Sequence, residues 1–391
     1  MYRLTNLIRV AALGAVVAVA ASCTEHRDVL MAPPLPTPNN AIFTSYIAIG
    51  NSITAGFQSN GINDSTQRAS YARLLATAMN TPYRYPSIAM PGCTPPIANG
   101  LTGALVGTVG TTPPPACSGR TFNTDTSEIL TNVAVPGARA LDPTTVSTDA
   151  SNVLTDIFLR GKTQVQQALR AKPTFASIWI GNNDVLQAGL SGILTPNPAL
   201  GQLGIISTQA QFQAKYDSLT AQLTAGAPGL KGILIGVAKV QFLPSLSSGG
   251  VIAGSALIKG TINTAAGTNV TVLPNCTNST SLINVPQLLL AIKKYVANPA
   301  TAGAHPPVIS CDQTTSAPFP YPVGDIFVLD ATEQTTLNNV IDGYNNYISA
   351  KATARDGRIA ARRACTNHHW SVDSGRPACS QNARWVRSLR W

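Results

Sequence analysis

An apolar run that stops dead at a glycine constrains this chain more than any other feature. Tyr46-Ile47-Ala48-Ile49 leads straight into Gly50-Asn51-Ser52, and Ile53-Thr54-Ala55-Gly56 completes the turn. Such a run reads as a short buried strand that ends at a tight loop where a helix can begin. In an open α/β sheet, ligands bind at the carboxyl ends of the parallel strands, and Ser52 would stand there. Taken alone, the same residues also describe an ordinary strand end with a turn serine. A second run far downstream, Phe175-Ala176-Ser177-Ile178-Trp179-Ile180, ends likewise at Gly181 and is followed by Asn182-Asn183-Asp184. Two strands of one sheet thereby deliver a hydroxyl and an amide side chain to one edge. That is the minimum for acyl transfer: a nucleophile and part of an oxyanion hole.

The rest of the chain alternates in the same rhythm. Residues 69–79 place Tyr71, Leu74, Leu75 and Ala78 on one helical face. "SEILTNVAVPGARA" predicts a second strand and a loop at Gly137, after an irregular stretch over 84–127. "VLTDIFLRGKTQVQQALRAKPTF" reads as helical through Leu169 and must stop near Pro173. Beyond Asp184 a Gly- and Pro-rich loop reaches about residue 206. A helix over 209–225 follows, with Phe212, Tyr216 and Leu219 spaced for burial, and then a strand over 232–238. Strands and helices alternating at this spacing predict a three-layer α/β/α fold around a parallel sheet. Residues 244–324 break the rhythm. They read as long loops around one helical piece, "VPQLLLAIKKYV", and suit a cover over the site edge. Order resumes over 326–350, where Asp330 and Glu333 form a capping-box pattern and Leu337, Val340, Ile341, Tyr344 and Ile348 an apolar stripe.

Three blocks in order resemble the GDSL, or SGNH, hydrolase family. Gly50-Asn51-Ser52-Ile53-Thr54-Ala55-Gly56 is similar to its Gly-Asp-Ser block, Gly137 to its loop glycine, and Gly181-Asn182-Asn183-Asp184 to its Gly-x-Asn-Asp block. The similarity covers roughly residues 44–357. It implies the flavodoxin-like SGNH fold and an ester hydrolase. Ser52 would be the nucleophile, with Asn183, Gly137 and the Ser52 amide as oxyanion donors. Asp184 would buttress the Gly181 loop. The resemblance calls for no metal or cofactor, and a monomer acting on a small ester, a lipid or an acylated glycan is expected. Asn51 departs from the pattern, which has Asp there. The larger departure is at the end. The family's Asp-x-x-His block, which supplies the base, is missing after Gly357, and the final strand before it is missing too. His368 and His369 precede Asp373 instead of following an aspartate, so either is a candidate base or simply a tail residue. His305 reads as a surface residue, and His26 falls in a tether.

Charge and cysteines bound the remaining possibilities. Charged residues are only 11% of the 391, and the net charge is +10. Residues 351–391 contribute +7 of it, so no basic stripe runs through the domain and nucleic acid is not an expected partner. Residues 358–391 are Arg- and Trp-rich. They resemble translation in a shifted reading frame, or else form a divergent tail closed by Cys365 and Cys379. Residues 1–22 have the charged start and short apolar stretch of an export signal. Cys23 follows small residues, as in a bacterial lipoprotein box, although ordinary signal cleavage would leave the same pattern. A Pro-rich tether runs to residue 43. Six further cysteines fall into sequence-local pairs, Cys93 with Cys117, Cys276 with Cys311 and Cys365 with Cys379, which fits disulfides in an oxidising compartment.

These features predict an envelope lipoprotein, outer-membrane or periplasmic, acylated at Cys23. Intact-mass analysis of the exported protein should show a mature chain that starts at Cys23 and carries acyl mass. A different start with no added mass refutes the assignment.

Overall fold

In the computed structural model, Tyr46–Gly50 is a strand, β1, buried along its whole length. The structure describes residues 36–99, 103–121, 127–145, 154–194, 206–243, 245–297, 307–312 and 328–354. The side chains of β1 alternate between two faces, as strand geometry requires. Tyr46 and Ala48 share one apolar cluster with Ala72, Ala76, Met79 and Phe175. Ile47 and Ile49 share the other with Val165, Ala168, Phe212, Tyr216, Leu337 and Ile341. A strand that is apolar on both faces needs a helical layer on each side, and the three-layer α/β/α expectation is met here.

After β1 come α1 (Ser52–Ala55), α2 (Asp64–Arg68) and α3 (Tyr71–Met79). The buried face of α3 is Ala72, Ala76 and Met79, with Tyr71 and Leu75 partly covered. Leu74 and Ala78, expected on that face, point to solvent. Small alanines let the helix rest closer to the sheet than a row of leucines would. The stretch 84–127 holds a hairpin, β2 (Ile97–Asn99) with β3 (Ala104–Leu105), and the predicted Cys93–Cys117 disulfide. Residues 131–135 run beside β1 as the expected second strand, but irregularly. Ala48 N–H donates to Thr131 O, Val133 N–H to Ala48 O and Val135 N–H to Gly50 O. The Gly50 N–H goes instead to Gln164 Oε1, at 3.1 Å.

The single helix expected through Leu169 is two, α4 (Leu154–Leu159) and α5 (Gln164–Arg170). Between them Arg160 and Gly161 take φ of 51° and 77°, and Thr163 starts a fresh helix in a capping box with Gln166. β4 (Phe175–Trp179) then pairs parallel with β1, Tyr46 beside Phe175 and Gly50 beside Trp179. α6 (Leu186–Ser191) occupies part of the expected loop. α7 (Gln209–Gly226) buries Phe212, Tyr216 and Leu219. β5 (Lys231–Leu234) completes the parallel order β1-β4-β5.

The described part of residues 244–324 is more ordered than loops around one helix. They contain β6 (Leu246–Ser248), α8 (Gly249–Gly254), α9 (Ala256–Ala266), β7 (Thr271–Val272), β8 (Leu282–Asn284), α10 (Val285–Ala297) and β9 (Val308–Ile309). Ile252, Ile262, Ile283, Ile292 and Ile309 form an apolar core of their own, which includes the predicted Cys276–Cys311 disulfide. Sequence reasoning undercounted these elements because short helices rich in Gly, Ser and Thr carry little periodic signal. The insertion borders the chain that follows Asp184, where Asn284 Nδ2 donates to Leu190 O at 2.9 Å. β10 (Val328–Leu329) joins β8 and β6 in an antiparallel sheet.

α11 (Ala331–Ala354) opens with the predicted box: Asp330 Oδ1 accepts the Glu333 N–H at 2.8 Å, and Glu333 Oε2 accepts the Asp330 N–H at 2.9 Å. Leu337, Ile341, Tyr344 and Ile348 are buried, and Val340 packs partly against the same core. Tyr344 stacks on Phe212 with ring centroids 4.0 Å apart. The export segment, Cys23, His26, His305, the Cys365–Cys379 pair and the tail with His368 and His369 lie outside the described residues.

Beyond β5, one side chain does the work of a neighbouring strand. Asn345 Oδ1 accepts the Val237 N–H at 2.7 Å, and its Nδ2 donates to Val237 O at 3.0 Å. Asn345→Ala strips both groups of their partner, so it should destabilise the fold by about 2 kcal/mol. Urea unfolding should show a lower midpoint with an unchanged slope. A midpoint equal to the parent's would mean that water replaces the clamp.

Candidate active site

β1 ends at Gly50 because nothing larger fits. A Cβ there would lie 2.6 Å from Trp179 O and would overlap Thr54 Oγ1. Asn51 then caps α1, its Oδ1 accepting the Ile53 N–H at 3.1 Å. Ser52 is the first helical residue and half-buried. Its N–H belongs to the first turn and has no intrahelical carbonyl to meet. Among the described residues its hydroxyl has no hydrogen-bond partner. Asn51 itself is fully buried, and its Nδ2 lies 3.5 Å from Asn182 Oδ1. An aspartate could accept the Ile53 N–H equally well, but it would bury a charge and could not donate across to Asn182.

The β4 side mirrors this arrangement. Gly181 takes φ of 111°, and a side chain there would run into the Phe212 ring and Val237. A 3-10 turn over Asn182–Asp184 follows. Asn183 Nδ2 donates to Ala138 O at 2.8 Å. Asp184 is buried: Oδ2 accepts the Ala140 N–H at 2.8 Å, and Oδ1 accepts the Ser207 hydroxyl at 2.6 Å. Gly137, exposed and at φ of 84°, sits in the loop between Val135 and Ala138. Val135 N–H in turn donates to Gly50 O at 3.2 Å. Ser52, Gly137 and Asn183 therefore ride on three turns at one sheet edge, joined by hydrogen bonds between each pair of turns. Asp184 holds the Gly137 loop to the Asn183 turn, as a buttress would.

The electrostatics follow from burial. Burial pushes the Asp184 carboxyl up, against the Ser207 hydroxyl, the Ala140 amide and the Arg139 charge, which pull it down; Asp142 adds to the rise. Burial raises Asp142 as well, against the Arg139 amide and charge. Among the described residues, no three His, Cys, Asp or Glu side chains converge as a metal site requires. The structure thus describes the candidate nucleophile and oxyanion donors, and it describes none of the four histidines.

Four supporting residues escaped sequence reasoning. Gln164 takes the Gly50 N–H. Asn182 faces Asn51, and Ser207 donates to Asp184. Asn132 Nδ2 donates to Thr54 O at 2.8 Å and to the Tyr83 hydroxyl at 2.7 Å, which pins α1 from beneath. Only Asn182 lies in a recognised block, at its variable position. The other three are polar residues whose burial no local spacing announces.

One family model, GDSL-like Lipase/Acylhydrolase, matches residues 46–382. That span passes Gly357 and takes in most of the Arg- and Trp-rich tail. No curated protein and no solved structure matches the chain significantly.

Asp184→Asn keeps the shape but leaves the carboxylate's two donors with one acceptor oxygen, and it should cost about 1–3 kcal/mol near neutral pH. The parent's pH dependence has a definite sign. The carboxyl is raised above its ordinary 3.8, so the folded state binds its proton more tightly than the unfolded chain does. The stability from that proton is complete below 3.8 and is lost as pH rises through the raised value. In urea unfolding across acid pH, the gap between the parent and Asp184→Asn midpoints should be widest at low pH and narrow, without closing, as pH rises through that window. Parallel midpoint curves would refute the assignment.

Proposed function

The chain belongs to the GDSL-like lipase/acylhydrolase family, and from that premise we propose that it is a serine carboxylesterase or lipase-like acyl hydrolase working through an acyl-enzyme on Ser52. The observation that carries this reading is the placement of Ser52. Its hydroxyl stands without a described partner at the carboxyl end of β1, on a turn tied to those of Asn183 and Gly137. Ser52 Oγ adds to the ester carbonyl carbon and gives its proton to a base. The carbonyl oxygen becomes an oxyanion held by the Ser52 and Gly137 N–H groups and by Asn183 Nδ2. One Asn183 N–H is engaged by Ala138 O, which fixes the amide and leaves its second N–H for the oxyanion. The tetrahedral centre collapses, the alcohol leaves with a proton, and water repeats the sequence to free the acid. His368 or His369 is the proposed base, in the tail that the family match reaches. The proposed substrate is an ester of a small molecule, a lipid or an acylated glycan, met at a membrane to which Cys23 anchors the protein.

A second reading has its own support. The sequence contains no Asp-x-x-His block after Gly357, so the chain can instead be an envelope lipoprotein that keeps the hydrolase fold and only binds lipid or glycan. Without a base, Ser52 stays protonated, and an oxyanion hole alone retains roughly 10³-fold over water.

Release of p-nitrophenol from its acetate ester separates the two. An active enzyme should turn over at about 1 s⁻¹ or faster, lose that rate in Ser52→Ala, and lose it below about pH 6.5 if histidine is the base. A residual rate identical in parent and Ser52→Ala rejects the enzyme and leaves the binder.

A further inference from the structure

A stretch of the insertion faces solvent with the wrong composition for a water-facing surface. From Ser218 to Cys311 the chain has no Asp, Glu or Arg, and its only charges are lysines. Within it, α8 and α9 bury Ile252, Ile262, Ala265 and Ala266 inward. Their opposite side shows Val251, 53% exposed, and Leu257, 80% exposed. The rest of that outer side is Gly, Ala and Thr, whereas a helix packed on one face ordinarily turns charged residues to water on the other. Lys259 lies two residues past Leu257, and Lys293 sits on the adjacent α10. Among the described residues neither ammonium is within ion-pair distance of a carboxylate. No described helix is long and apolar enough to cross a membrane.

We propose that the α8–α9 knuckle, through Val251 and Leu257 with Lys259 and Lys293 beside them, docks on an anionic lipid surface. Two physical terms act together. The aliphatic side chains gain by leaving water for the acyl boundary. The lysines are drawn to anionic headgroups; the stretch itself carries no acidic residue, and Asp312 stands just beyond its end, after Cys311. A second copy of this chain fits less well, because two such faces would bring lysines together with nothing to neutralise them. This docking is independent of any acyl group at Cys23 and of the chemistry at Ser52.

Hydrogen–deuterium exchange on the full-length chain tests it at the surface concerned. Vesicles of phosphatidylglycerol mixed with phosphatidylcholine should slow exchange in peptides covering 249–262. Phosphatidylcholine alone should do so far less, and salt should weaken the effect. The double substitution Val251→Asp with Leu257→Asp should abolish this protection and weaken vesicle affinity by about tenfold or more. Both sites are exposed, so the thermal midpoint should hold, and Lys259→Glu gives a second variant that leaves the aliphatic pair intact. Protection confined to the N-terminus or the basic tail overturns the proposal. So does equal protection by neutral vesicles, or protection of 249–262 that grows with protein concentration when no lipid is present.

Discussion

Hydrogen bonds between neighbouring turns decide the geometry at the site end of this molecule. Val135 N–H on Gly50 O, Asn183 Nδ2 on Ala138 O and Asn51 Nδ2 on Asn182 Oδ1 close a ring through three segments that are far apart in sequence. None of these bonds is strong alone, at about 1 kcal/mol net. Their value is positional. Each turn is held by the next, so the Ser52 hydroxyl, the Gly137 amide and the Asn183 amide keep fixed relative places, which the proposed chemistry would use. Donors already aimed at a developing charge need no reorganisation at the moment of reaction.

That ring explains why the supporting residues are amides more often than acids. Asn51, Asn132, Gln164 and Asn182 each sit at or behind the edge, and the first three are almost fully buried. An amide both donates and accepts, so one side chain can tie two backbone groups without carrying a charge into a dry place. Asp184 is the exception. It accepts from Ala140 and Ser207 at once, and the cost appears as a carboxyl that ionises reluctantly.

The sheet and the two motif turns were legible in the sequence because strand burial leaves a continuous apolar run and each run ends at a glycine. The stripe of α11 and its Asp330–Glu333 box were legible for the same local reason. What stayed hidden was long-range. Leu74 looks like a core residue until the sheet surface selects Ala72 and Ala76. The break at Arg160-Gly161 is a matter of positive φ that a favourable helical composition masks. The insertion's helices depend on a core assembled from residues 252 to 328, which no window of a dozen residues contains. Gln164 and Asn132 act across 114 and 78 residues, so their roles exist only once the chain has folded.

The parallel pairing of β1 with β4 also sets an order of events during synthesis. Ser45 and Thr174, which meet at the start of that pair, are 129 residues apart. When the chain emerges from its N-terminus, Tyr46–Gly50 has nothing to lie beside until residues 131–135 appear, and it lacks its regular partner until Trp179 has followed it out. Over that interval the growing chain carries an incompletely paired strand that is apolar on both faces, the kind of segment that associates wrongly. Contacts of such separation also form slowly. The amount of correctly folded protein a cell obtains should therefore depend on how well that first strand is shielded while it waits, a matter of chaperone supply and synthesis rate rather than of final stability.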